Sequence, residues 1–342
     1  LRYRRGVDVR FYTLFSGIGA PELANRQYDI GWECVGACEI DKYARAVYRF
    51  NFNQRWEIDH DAKQLVPRKM PDFNCLVFGW PCQSNSVAGK REGQKEGTRS
   101  GLLYEAIKIL WDKKPDYFIA ENVEGLFSVN KGYDFYATIK MFADVGYDCQ
   151  WQVLNTRWFL PQNRERIYFA GHTRKKPRPK IFPITKSDFN IDESGKRTMI
   201  PRVDNTAPSI QCGISHSKRG FENSGDMSPC IRASQGQHGK LPVIIHTNKS
   251  GTRTPRNNTA ALRSGASHNY QLVNNVRRLT PVEVSRLQGF PDDWTVKGID
   301  DNNNEITISD TQRYKMAGNA MSIPVVGMVM QRLKHAHERM TK

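Results

Sequence analysis

The 342-residue chain has no run of about 18 apolar residues, the length needed for a helix to cross a bilayer. Its opening, LRYRRGVDVRFYTLF, lacks an apolar core followed by a cleavage site, which argues against a secretory signal. A soluble, cytoplasmic protein with no membrane attachment is therefore expected, and the start on Leu1 is expected to differ from the native one. Cysteines number seven, an odd count, at positions 34, 38, 75, 82, 149, 212 and 230. They form no CxxC pair and no Cys/His cluster with zinc spacing, which excludes a disulfide framework and a structural zinc site. No metal is expected, and most of these thiols read as small core residues.

Acidic residues are scarce in one region. Between Arg174 and Arg278 there are 19 Lys/Arg against 6 Asp/Glu, a local balance of 19 − 6 = +13 within a chain total of +16. Such a basic segment on a near-neutral remainder suits a polyanion partner; a solvated basic surface is the competing account.

Up to His172 the chain alternates β-like runs (VRFYTLF, WECVGACEI, FNCLVFGW, DYFIAENV, CQWQVLN, RIYFAGH) with amphipathic stretches such as YARAVYRF and SGLLYEAIKILWDKK. This alternation predicts an α/β fold with a mostly parallel sheet and helices on both faces. Beyond the basic, proline-rich RKKPRPK the texture turns polar. Three segments there, TAPSIQCGISH, SPCIRASQGQH and TAALRSGASH, form a degenerate repeat that reads as short strands and turns. In RRLTPVEVSRLQGFPDDW, Thr280 reads as an N-cap, with Pro281 at the first helical position and Glu283 completing a capping box. SIPVVGMVMQRLKHAHERM reads as a closing helix. The expected division is a catalytic domain over 1–173, a small, mostly β or irregular domain over 174–310, and a segment over 311–342 that returns to the first.

Ligands of such sheets collect beyond the carboxyl ends of the strands, and chemistry-bearing residues cluster there. The loop Phe15-Ser16-Gly17-Ile18-Gly19 lets backbone N–H groups approach a ligand, and Glu39 follows at the offset of a carboxylate that binds ribose hydroxyls. The third glycine of a pyrophosphate cradle is absent, so the loop suits a nucleoside without phosphates or is only a tight strand-to-helix turn. Cys82, aimed by Pro81, follows a strand where a thiol can become a nucleophile; a buried structural role suits Cys75 better. The glycines and basic residues from Gly89 to Arg99 read as a lid beside it. Glu121 emerges from an apolar strand, either as an acid with a raised pKa or as a capping or ion-paired group. Arg164 and Arg166 alternate toward one side, to bind phosphate or carbonyl oxygens or to form a surface salt-bridge strip.

Together these blocks resemble the DNA (cytosine-5)-methyltransferases. The resemblance rests on FSGIG, Glu39 with Asp41, PCQ with SVAGKREG, ENV, QNRER, RRLTPVEVSRLQGFPDDW and GNAMSIPVV, in the family's order from about Val9 to Val326. It implies a Rossmann-like S-adenosylmethionine-dependent methyltransferase domain with a target-recognition domain, acting on double-stranded DNA. S-adenosylmethionine would sit on Phe15, Ser16, Gly17, Ile18 and Gly19, with Phe15 against the adenine and Glu39 on the ribose. Asp61 would lie near the adenine amino group, although His60 stands where the family usually has glycine. Cys82 would attack carbon 6 of a flipped cytosine, Glu121 would hold ring nitrogen 3, and Arg166 would donate to the ring carbonyl. Arg164 would bind a nearby backbone phosphate, and Asn319 would brace the Pro81-Cys82 turn and the cofactor pocket. Gln83 and Ser86 would lie against DNA.

Within the basic segment, Arg232 and Arg263 occupy matching repeat positions and are candidate base readers; building the small domain's own core is their alternative role. A monomer is expected. Two other readings stay open: an RNA cytosine methyltransferase on the same scaffold, and a catalytically silent DNA-binding relative. Restriction–modification, phage and orphan enzymes would look alike in sequence.

Overall fold

The computed structural model describes residues 9–52, 58–81, 100–175, 179–185, 188–191, 197–199, 228–229, 243–244 and 277–341. The elements run β1 (Arg10–Leu14), α1 (Ala20–Gln27), β2 (Glu33–Cys38), α2 (Lys42–Phe52), β3 (Ile58–Asp59), β4 (Cys75–Gly79), α3 (Leu103–Lys113), β5 (Tyr117–Val123), α4 (Tyr133–Asp144) and β6 (Tyr147–Asn155). After β7 (Gln162–Asn163) and β8 (Glu165–Thr173) come short strands β9 (Phe189–Ile191), β10 (Arg197–Met199), β11 (Ser228–Pro229), β12 (Val243–Ile244) and β13 (Arg277–Arg278). The chain closes with α5 (Pro281–Arg286), β14 (Lys297–Ile299), β15 (Glu305–Thr307), α6 (Asp310–Asn319) and α7 (Ile323–Thr341).

The main sheet has the order β3-β2-β1-β4-β5-β8-β6. Strands β1 to β5 pair in parallel, and β8 is antiparallel to both β5 and β6. Side chains alternate faces along a strand, and both faces are covered here, which is why the runs are almost wholly apolar. Phe11, Val77 and Ile119 share one core with α1, α2 and α7. Tyr12, Leu14, Leu76, Phe78 and Phe118 share the other with α3 and α4. Strand order reverses at β1, which pairs with β2 on one side and β4 on the other. That switch point leaves a crevice beyond the strands' carboxyl ends.

The helix expected after Thr280 is α5, and both halves of its capping box are present: the Thr280 amide donates to Glu283 Oε2 (2.7 Å) and the Glu283 amide to Thr280 Oγ1 (3.3 Å). The closing helix is α7. Part of the stretch ahead of 310 packs on the large core. Phe290, Trp294 and Ile308 are buried in the large core, and Trp294 Nε1 donates to the carbonyl of Ile18 (3.0 Å). The repeat-like segments lie outside the described residues, apart from Ser228 and Pro229. Among the described residues, no helix is long and apolar enough to cross a membrane.

Candidate active site

A cleft open to solvent sits at the ends of β1 and β4. Of the expected residues, Phe15, Ser16, Gly17, Glu121 and Asn319 line it. Ala320 and Met321, which the sequence reading passed over, line it too.

The glycine loop divides into two roles. Phe15 (φ +58°) and Gly17 (φ +57°) are both in the left-handed region. For a non-glycine residue this costs about 1–3 kcal/mol and tends to occur at functional sites. A Cβ on Gly17 would meet nothing within 4 Å, so the backbone there faces open space. Gly19 (φ +82°) is different: a Cβ would fall 2.2 Å from Phe52 Cε2. That glycine permits α1 to start against α2 and serves the fold. Ile18 is likewise 1% exposed and belongs to the core.

Glu39 follows β2. Its Oε2 accepts from the Gly17 amide (2.7 Å) and its Oε1 from the Asp41 amide (2.9 Å). Burial raises its pKa, while those two amides pull the other way. Each oxygen keeps acceptor capacity beyond its one amide. Asp61 caps the 3-10 turn Ala62–Gln64 by accepting from the Lys63 amide (3.0 Å). Glu39, Asp61 and Pro81 lie outside the lining of the cleft itself.

On the opposite wall, β8 runs antiparallel to β5, so the start of one meets the end of the other and Arg166 pairs with Val123. This is why an arginine at the start of one strand can reach an acid near the end of another. Arg166 Nε lies 3.1 Å from Glu121 Oε1, a contact without hydrogen-bond alignment, since that oxygen is buried and has no hydrogen-bond partner among the described residues. Burial raises the Glu121 pKa, and the guanidiniums of Arg166 and Arg164 offset only part of the rise.

Two of the expected residues have partners that spacing alone did not suggest. Arg164 is 2% exposed and donates to the carbonyls of Gly318 (3.2 Å) and Ala320 (2.9 Å). A guanidinium enclosed in that way grips the turn carrying Asn319. Asn319 is exposed at the cleft. Among the described residues it is Asn122 that supports the strand end before Cys82, donating to the Trp80 carbonyl (3.2 Å). The signal for Asn122 was its place in ENV beside Glu121. Cys82, Gln83, Ser86, Arg232 and Arg263 lie outside the described residues. Cys38 and Cys75 are buried free thiols, and Cys34 and Cys149 are half-buried, in keeping with packing roles.

A family model described as C-5 cytosine-specific DNA methylase matches residues 9–335. The chain is 36% identical over 318 residues to the type II methyltransferase M.NgoBI of Neisseria gonorrhoeae, covering 92% of this chain and 89% of that protein. It is 35% identical over 322 residues to the type II methyltransferase M.HaeII of Haemophilus aegyptius, covering 93% and 91%. A solved structure of a Spodoptera frugiperda DNMT2 triple mutant superposes with a TM-score of 0.59 at 19% identity, covering 95% of this chain and 99% of that one; this likeness speaks for the fold. A switch-point cleft between a glycine loop and a buried acid, in a chain matched by one family model almost end to end, has one consistent reading. The chain belongs to the C-5 cytosine-specific DNA methylase family and is a DNA (cytosine-5)-methyltransferase.

Proposed function

We propose that Cys82 is the nucleophile, that Glu121 holds ring nitrogen 3 of a cytosine turned out of duplex DNA, and that Arg166 donates to the ring carbonyl. The observation that carries this reading is the Glu121 carboxyl: buried, raised in pKa, and with an oxygen that has no hydrogen-bond partner among the described residues at the wall of the cleft. Such a group suits a partner that arrives with the substrate.

S-adenosylmethionine is the proposed cofactor. The residues present fit it: a Cβ on Gly17 would project into unfilled space, and Glu39 retains lone pairs for ribose hydroxyls. The loop also lacks the third glycine that a pyrophosphate would call for. Phe15 would meet the adenine and Asp61 its amino group, with Ser16, Pro81 and Asn319 completing the pocket; Ile18 and Gly19 contribute backbone and fold. When bound, the cofactor supplies a methyl group activated by its sulfonium.

Carbon 5 of cytosine is a poor nucleophile while the ring is aromatic. Addition of the Cys82 thiolate at carbon 6 breaks the aromaticity and makes carbon 5 enamine-like. Glu121 stabilises the charge that develops on the ring, an interaction that strengthens toward the transition state. Once carbon 5 carries the methyl group that the bound cofactor would supply, loss of the carbon 5 proton expels the thiolate and restores the aromatic ring. The target atom is out of reach in a stacked duplex, so the base is flipped out at a cost of roughly a few kcal/mol.

The basic segment from 174 to about 278 supports assignment as the target-recognition region, with Arg232 and Arg263 as candidate readers and Gln83 and Ser86 near the flipped base. The catalytic domain, 1–173, is joined by the chain from about Phe290 to the end. The type II names of both relatives support a restriction–modification setting.

A duplex carrying 5-fluorocytosine in mixed sequence tests the reading. Fluorine at carbon 5 cannot leave as a proton, so methyl transfer should leave the protein covalently joined to DNA. The adduct should map to Cys82 and vanish in Cys82→Ala; an adduct at another residue would contradict the assignment.

A further inference from the structure

Two ion pairs tie the turn after β2 to the far end of the chain. Arg45, 5% exposed, lies under that turn. Its Nη1 donates to the carbonyls of Glu39 (3.0 Å) and Ile40 (2.8 Å). The rest of its fork reaches Asp301, with Nε 3.3 Å from Oδ1 and Nη2 2.6 Å from Oδ2. Arg49 bonds Asp301 as well.

The second pair joins Lys315 Nζ on α6 to Asp41 Oδ2 (2.5 Å). Asp41 Oδ1 meanwhile accepts from the amides of Tyr43 and Ala44 and starts α2, and the Asp41 amide donates to Glu39 Oε1. Glu39 is thus held at both ends. Arg45 grips its carbonyl, Asp41 grips its side chain, and each gripping residue is itself fixed by a residue more than 250 positions later. Neither Asp301 nor Lys315 lines the cleft.

We infer that Asp301 and Lys315 are positioning residues: they hold the Glu39 carboxylate where it binds the ribose of the cofactor, without touching the cofactor themselves. The inference rests on the proposed role of Glu39. Its physical basis is the cost of an enclosed guanidinium without its carboxylate. Once Asp301 is removed, Arg45 is drawn toward water and releases the Glu39 and Ile40 carbonyls. Loss of Lys315 frees Asp41 in the same way, and with it the amide that orients Oε1. A charge-assisted fork sets direction as well as energy, so the effect should fall on cofactor affinity and not on the chemical step.

The test is calorimetric binding of S-adenosylhomocysteine to the full chain, with melting curves for every variant and kcat at saturating S-adenosylmethionine. Glu39→Ala should weaken binding most. Asp301→Ala and Lys315→Met should each raise Kd by roughly three- to tenfold, with kcat unchanged within about twofold and Lys315→Arg restoring affinity. Lys297→Ala, which breaks the Lys297–Glu305 pair on the same hairpin, should bind as wild type. If Glu39→Ala binds as wild type, the reading of Glu39 fails and the inference falls with it. If Glu39→Ala weakens binding but Lys315→Met and a folded Asp301→Ala do not, Glu39 keeps its role and the positioning role is overturned. Should Asp301→Ala not fold, Lys315→Met and its arginine rescue decide alone. An equal loss of affinity in Lys297→Ala would also overturn the positioning role.

Discussion

Glu121 Oε1 and Arg166 Nε stand 3.1 Å apart on paired strands, the carboxyl raised in pKa by burial and drawn back by the guanidinium. With Arg166→Gln the nearer positive charge is gone, so the Glu121 pKa climbs further. If protonated Glu121 is the form that donates to ring nitrogen 3, activity is lost as pH rises through that pKa. The falling limb of the kcat–pH profile should therefore move to higher pH in Arg166→Gln, whatever the height of the curve; a move to lower pH would contradict the pairing. Glu121→Gln should lower kcat by about 100- to 1000-fold, the usual cost of one misplaced transition-state partner.

Arg164 offers a contrast. Its guanidinium is committed to the Gly318 and Ala320 carbonyls. Arg164→Lys should therefore lower turnover by loosening the Asn319 turn, yet leave the salt dependence of DNA binding unchanged. A phosphate contact would instead reduce the slope of log affinity against log salt by about 1. Affinity titrations at several salt concentrations separate the two.

The two loop glycines should fail differently. Gly19→Ala combines a left-handed φ with a Cβ driven into Phe52 and should cost about 2–4 kcal/mol of stability. Gly17→Ala carries only the conformational cost, about 1 kcal/mol, but fills space beside the cleft. Melting temperature should fall chiefly in the first, and affinity for S-adenosylhomocysteine chiefly in the second.

Asp301 gives a pH signature of its own. Hydrogen bonds from Arg45 and Arg49 hold its carboxyl down to about 2, below its unfolded value of about 3.9. The stabilisation is therefore present above about pH 4 and lost as pH falls toward 2. The side chain is 39% exposed, so solvent screening limits the contribution to about 1 kcal/mol. Wild type should melt about 2 °C above Asp301→Asn at pH 6, and the gap should narrow below about pH 4 and close as pH falls through about 2. A gap that persists at the lowest pH would contradict the assignment.

Much of this was legible in the sequence because the strands are buried on both faces. Near-continuous runs such as FNCLVFGW leave little choice of element, and the residues after each run mark the sheet edge where the cleft lies. The Thr280 capping box was equally plain, since its signal is local. Spacing could not reveal which partner each polar group finds across the fold. Arg164 and Arg166 read as equivalent, yet one is enclosed under the α6 turn and the other faces Glu121. Gly17 and Gly19 also looked alike, and only the packing of Phe52 separates them. The stretch from Phe290 to Ile308 read as part of the recognition domain because its hydrophobic residues are isolated. Trp294, Phe290 and Ile308 nevertheless reach the large core one at a time.

The most direct measurement is transfer of labelled methyl from S-adenosylmethionine to mixed-sequence duplex DNA by wild type and Cys82→Ser side by side. The account predicts label on carbon 5 of cytosine with the wild type and none with Cys82→Ser, while both proteins bind DNA. Equal transfer by the two proteins, or label on any other atom, would contradict Cys82 as the nucleophile and the reaction built on it.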